Sequence, residues 1–151
     1  MKDSIGRILV SEQQLLEKIK ELGKRITEDY QGRDLLLVSI LKGSCIFMSD
    51  LIRHIDLPLS IDFMYVSSYG AGTQTTGSAK IIKDMDVDIS GKDVLLVEDI
   101  LDSGLTLKYL KDLLLQRHAS NIRIATLLDK PARRAADIKA DYSGFEIPDE
   151  F

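Results

Sequence analysis

The sequence has a single cysteine, Cys45. A disulfide within the chain and a multi-cysteine metal site are both excluded, and a reducing compartment such as the cytoplasm fits. Two histidines occur, His54 and His118, each at the end of a predicted helix. Neither has a partner acid at a spacing that suggests a catalyst or a metal ligand. Prolines are few, and no stretch reads as a linker, a repeat or a low-complexity tract. The longest apolar run, Leu35 to Leu41, falls far short of the ~20 residues that span a bilayer. The polar N-terminus has no signal-peptide core. Positive charge is not in excess: the net charge is −4, so nothing global draws the chain to nucleic acid or an anionic membrane. No glycine fingerprint of dinucleotide binding and no Walker lysine follows a strand, which removes both readings. With 151 residues and 44% hydrophobic composition, the chain is long and apolar enough to be expected as one globular domain, residues 1–151.

The most informative stretch is Val94 to Thr106. Val94-Leu95-Leu96-Val97 reads as a strand buried on both faces of a parallel sheet. Glu98 and Asp99 stand where the strand is predicted to end, followed by Asp102, Ser103, Gly104, Leu105 and Thr106. Leu107, Leu110, Leu113 and Leu114 then recur at helical spacing. Free N–H groups at a helix start, together with two hydroxyls and a glycine, can cradle a phosphate. The acids on the strand side can accept from sugar hydroxyls or hold a divalent metal. A plain helix cap would explain any one of these residues. It does not explain three acids in one turn, which repel one another unless something charged or hydroxylated is held there.

This stretch resembles the ribose-phosphate signature of the type I phosphoribosyltransferases: an apolar run, two acids, two apolar residues, then Asp-Ser/Thr-Gly-x-Thr. The match is complete from Val94 to Thr106. Later segments resemble the branch acting on 6-oxopurines.

Taken in order, Ile5 to Val10 is predicted as a short strand. Ser11 with Gln14 forms a capping-box pattern before a helix whose Leu15, Leu16, Ile19, Leu22 and Ile26 make one apolar stripe. Leu35 to Ile40 is a buried strand, followed by Lys42, Gly43 and a helix from about Cys45 to His54. Strand-loop-helix junctions of this kind put backbone donors and charge at the ligand-binding edge of an open sheet. Ser60 to Val66 alternates as a strand. The Gly-, Ser- and Thr-rich stretch Ser67 to Ser78 is longer than a connection needs, as lids are. Ala79 to Lys83 returns as a strand, and Ile122 to Leu128 is another. The alternation of strands and helices predicts an α/β fold, a mainly parallel sheet with helices on both faces. The resemblance adds a small hood built from terminal segments.

The resemblance also implies an activity and a set of roles. The activity is purine salvage, in which the 5-phosphoribosyl group passes from phosphoribosyl pyrophosphate to hypoxanthine or guanine, giving purine nucleoside monophosphates and pyrophosphate with Mg2+ as cofactor. Glu98 and Asp99 are expected at the ribose hydroxyls and, through water, at the metal. Asp102 is the expected general base or acceptor at the purine N7. Ser103, Gly104, Leu105 and Thr106 are expected at the 5′-phosphate. Lys42 and Gly43 match the pyrophosphate loop, where the family has a cis peptide, and Arg134 matches an active-site arginine there. Ser68 and Tyr69 match the lid, Lys130 the donor to the 6-oxo group, and Phe151 the aromatic that stacks on the base. A homodimer or homotetramer is expected in the cytoplasm, with no membrane or nucleic-acid partner. The family pattern continues beyond Phe151 with Val-Val-Gly-Tyr-Gly-Leu-Asp-Tyr, so a segment that closes the base pocket is expected to be missing. Two other classes stay open: a nucleotide-binding regulator on the same fold, and a low-activity remnant.

Overall fold

The computed structural model describes residues 10–68 and 79–149. Helix α1 (Glu12–Asp29) starts where the capping box places it: Ser11 Oγ accepts from the Gln14 N–H and Gln14 Oε1 accepts from the Ser11 N–H. Ile19, Leu22 and Ile26 are buried, whereas Leu16 is 46% exposed. The expectation of Leu16 in the buried stripe is corrected. One residue beyond Leu15, it is turned about 100° off the stripe. Apart from Val10, the strand expected over Ile5 to Val10 falls outside the described residues, and Val10 itself is in no strand.

Six strands form one sheet in the order β3-β2-β1-β4-β5-β6. Strands β1 (Leu35–Leu41), β2 (Ser60–Ser68), β4 (Asp93–Leu101), β5 (Asn121–Asp129) and β6 (Tyr142–Glu146) run parallel, and β3 (Ala79–Lys83) is antiparallel on β2. Helix α1 and helix α2 (Ser44–Ile52) cover one face, packing on Leu35, Leu37, Leu95 and Val97. Helix α3 (Leu105–Gln116) covers the other, over Leu36, Val38, Val94, Leu96, Ile122 and Ile124. Because Leu35–Val38 of β1 and Val94–Val97 of β4 are buried on both faces, those stretches are continuous aliphatic runs without alternation. Among the described residues, no helix is long and apolar enough to cross a membrane.

Two expectations change. Strand β4 does not end before its acids but runs through them, with Glu98 opposite Thr126 and Leu101 opposite Asp129. The chain from Tyr142 onward also contributes a strand, which the sequence reading left without an element. Strand β6 is anchored by tertiary bonds: the Asp141 carboxylate accepts from the Ile124 N–H at 2.8 Å, and the Asp141 N–H donates to the Ile124 carbonyl at 2.8 Å.

The strand order fixes where a ligand can sit. From β1 the chain moves outward to β2 and β3, then crosses back to β4 on the opposite side of β1. The adjacent parallel strands β1 and β4 therefore send their following loops in opposite directions and leave a crevice at their carboxyl ends.

Candidate active site

The loops after β1 and β4 meet at this crevice. Gly43 lies so close to Asp99 that a β-carbon at Gly43 would collide with the Asp99 carboxylate. Only glycine lets the Lys42–Gly43 backbone approach the acids this nearly. The Leu41–Lys42 peptide is cis, the geometry that the resemblance implies for this loop. The Lys42 ammonium lies 5.4 Å from the centre of the Tyr65 ring on β2.

On the β4 side, burial falls from Glu98 to Ile100 before Leu101 turns back into the core. Val94 to Val97 are fully buried, Glu98 and Asp99 half-buried, and Ile100 is 36% exposed. Each acid is held by the next backbone N–H: Asp99 donates to Glu98 at 3.0 Å, Ile100 to Asp99 at 2.9 Å, and Ser103 to Asp102 at 2.7 Å. Gly104 has φ +78° and starts α3. A side chain there would be strained by that φ and would also strike Ile138. Ser103 Oγ accepts from the Leu105 N–H at 3.4 Å, and the Gly104 carbonyl takes the first helical bond, from Lys108, at 2.9 Å.

A cavity of about 200 Å³ opens here, lined by the expected residues Glu98, Asp102, Ser103, Gly104 and Thr106. Its apolar wall is Ile40, Leu41, Val66, Ile100, Leu101 and Leu107, and the sequence reading missed that wall. The signal for Ile100 was present, an aliphatic residue set between two acids at a strand's exposed end. Lys130 does not line the cavity. It is 6% exposed beside the end of β4, where its N–H donates to the Leu101 carbonyl at 2.8 Å. Ser68 ends β2, paired with Ala79. Tyr69 and Phe151 lie outside the described residues.

Arg134 sits differently from its expected role. Its Nη1 donates to the Asp102 carbonyl at 2.9 Å and to the Leu101 carbonyl at 3.4 Å, and its Nη2 donates to Asp129 Oδ1. The guanidinium fork is spent on the back of the acidic turn, so its geometry does not favour a pyrophosphate contact.

Residues 8–151 match the family model described as the phosphoribosyl transferase domain. The chain belongs to the phosphoribosyltransferase family. It is 54% identical over 151 residues to the hypoxanthine-guanine phosphoribosyltransferase of Bacillus subtilis (strain 168), covering 100% of this chain and 84% of that protein. The hypoxanthine-guanine phosphoribosyltransferase of Streptococcus thermophilus (strain CNRZ 1066) is 50% identical with the same coverage. A crystal structure of a hypoxanthine phosphoribosyltransferase from Staphylococcus aureus superposes with a TM-score of 0.95 at 53% identity, over 99% of this chain and 81% of that one.

The acids of this phosphoribosyltransferase are electrostatically uneasy without a ligand. Burial, then the hydrogen bond and charge of Asp99, then the charge of Asp102 push the Glu98 carboxyl up to about 9. A cation or a set of sugar hydroxyls would relieve that repulsion. Among the described residues, no group of three or more His, Cys, Asp or Glu could hold a metal on its own. Magnesium is a hard ion usually held by one or two carboxylates plus substrate oxygens. Glu98 and Asp99 supply donors of that kind.

Proposed function

We propose that this chain transfers the 5-phosphoribosyl group from phosphoribosyl pyrophosphate to hypoxanthine or guanine, forming IMP or GMP and releasing pyrophosphate. The identity to enzymes of that name supports the substrate class. The observation that carries the reading is the crevice between β1 and β4, where the Lys42–Gly43 loop abuts Asp99 beside a cavity lined by residues of the Glu98–Leu107 stretch.

In this reading, the backbone N–H groups and hydroxyls of Ser103 to Thr106 hold the 5′-phosphate. Glu98 and Asp99 accept from the ribose hydroxyls and bear on the magnesium site. When bound, Mg2+ would neutralise the pyrophosphate and make it a better leaving group. Lys42 and Gly43 face the pyrophosphate. Ile100 gives the base an apolar surface, and Lys130 donates to its 6-oxo group. Asp102 accepts the proton that leaves the imidazole ring as the base nitrogen bonds to C1′ and the C1′–pyrophosphate bond breaks. Positive charge develops on the sugar, so positioning and the nearby carboxylates carry most of the catalysis. Ser68 and Tyr69 as lid residues and Phe151 as the stacking aromatic complete the proposal, with residues 1–151 as one domain working in the cytoplasm as a homodimer or homotetramer.

The test is an assay of the purified chain with labelled hypoxanthine, phosphoribosyl pyrophosphate and magnesium. Labelled IMP is expected, and its formation should stop when magnesium is chelated. Nucleotide binding without turnover would instead favour a regulator or a remnant on this fold.

A further inference from the structure

We propose that Arg134 is a positioning residue. It sets the shape of the 5′-phosphate turn from behind, and Asp129 in turn holds Arg134. This rests on the reading of Ser103 to Thr106 as a phosphate site.

Three consecutive carbonyls of the turn bond to one segment of the chain. The Leu101 carbonyl accepts from the Lys130 N–H at 2.8 Å. The Asp102 carbonyl accepts from Arg134 Nη1 at 2.9 Å. The Ser103 carbonyl accepts from the N–H groups of Ala135 at 2.8 Å and Ala136 at 3.1 Å. In a trans peptide the carbonyl and the following N–H point in opposite directions. Fixing the carbonyls of Leu101, Asp102 and Ser103 on the 130–136 segment therefore turns the N–H groups of Asp102, Ser103 and Gly104 away from it, the Ser103 N–H being met by the Asp102 carboxylate at 2.7 Å. The cavity lined by Asp102, Ser103 and Gly104 opens in front of this turn. An anion cradle needs its donors to converge before the ligand arrives, and this backing supplies that order.

Arg134 is the one side chain in this set of contacts, and it is well fixed. Its side chain is 16% exposed and that of its ion-pair partner, Asp129, 11% exposed. Its Cδ lies 3.2 Å from the point a Gly104 β-carbon would occupy, so it also packs under the turn's left-handed residue. Asp129 is the last residue of β5 and pairs with Leu101 across the sheet. The ion pair thus ties the end of β5 to the turn after β4. A planar fork reaching a carboxylate on one side and backbone carbonyls on the other is a task lysine cannot copy.

The experiment measures two ligands separately by calorimetry on the whole chain: ribose 5-phosphate, and pyrophosphate with magnesium. Arg134→Gln should weaken ribose 5-phosphate binding on the order of tenfold or more, since charge-assisted bonds to the turn are lost. Pyrophosphate affinity should stay within about twofold. Asp129→Asn keeps the guanidinium but loosens it, and should shift ribose 5-phosphate binding in the same direction by less. If Arg134→Gln fails to fold, Arg134→Lys takes its place with the same expectation. Hydrogen exchange supplies a readout without ligand: the amides of Ser103 to Leu105 should exchange faster in the variant while those of β1 do not. Equal or greater loss of pyrophosphate binding would make Arg134 a direct ligand and overturn the proposal. Unchanged exchange at the turn would overturn it as well. If the unsubstituted chain binds no ribose 5-phosphate yet the exchange changes as expected, the phosphate reading fails and the bracing role stands.

Discussion

Asp62 on β2 and Glu98 on β4 are carboxylates withdrawn into the same sheet, and their surroundings differ sharply. Asp62 is 5% exposed and accepts three backbone N–H bonds, from Phe63 at 2.7 Å, Asp86 at 2.9 Å and Val87 at 3.1 Å. It pins the turn after β3 to β2. Glu98 accepts one, from Asp99, and otherwise faces two further acids. One carboxylate is consumed by the fold. The other lines a cavity, where burial and the neighbouring acids disfavour its charged form. A buried acid that the protein itself satisfies marks a structural tie, and one it leaves short of donors marks a place kept for a ligand.

Substitutions can break this contrast in either direction. The largest effect is expected at the third acid of the cluster. Asp102→Asn should lower kcat by ~10²–10⁴-fold if Asp102 is the general base, and its unfolding midpoint in urea should stay close to that of the parent chain. A variant at full rate would remove the role. Next in size is Asp62→Ala. It strands three N–H donors, each costing roughly 1–3 kcal/mol when buried without a partner, with partial relief from water. A loss of about 3 kcal/mol in urea unfolding is expected, with kcat per folded molecule little changed. A large fall in kcat at unchanged stability would place Asp62 in the site. Lys130→Ala should then weaken the use of hypoxanthine and guanine by at least about tenfold while leaving phosphoribosyl pyrophosphate binding nearly intact, because a polar group built to meet the 6-oxo oxygen discriminates strongly. Equal loss for both substrates would make Lys130 structural.

The local parts of this molecule were legible in the sequence. Glu98 to Thr106 is contiguous, so its order along the chain carries its chemistry, and the Ser11–Gln14 box needs only four residues to be read. Contacts between distant segments were not legible. Arg134 reaches the Asp102 carbonyl across 32 residues, and a family position alone gave it a pyrophosphate role that its bonds do not favour. Strand β6, Tyr-Ser-Gly-Phe-Glu, has no aliphatic run, and its place depends on Asp141 meeting Ile124. Asp62 reads as an ordinary polar residue of an alternating strand, because two of the three N–H groups it satisfies belong to a turn more than twenty residues on.

The smallest expected effect is also the most direct test of the contrast. The Glu98 carboxyl is raised to about 9 in the folded chain. Between the ordinary carboxylate range and that value, the folded state keeps a proton that the unfolded state has released, so stability falls as pH rises through the interval. Glu98→Gln removes this dependence. The deciding measurement is thermal unfolding of the parent chain and Glu98→Gln at pH 8, each with and without phosphoribosyl pyrophosphate and magnesium. Without ligand, Glu98→Gln should melt higher by several degrees, a gain that disappears near pH 4.5. With ligand the order should reverse, because the parent carboxylate gains partners that the amide cannot match. The same order of melting in both conditions would contradict the claim that the acids at the end of β4 are kept for a ligand at the expense of the fold.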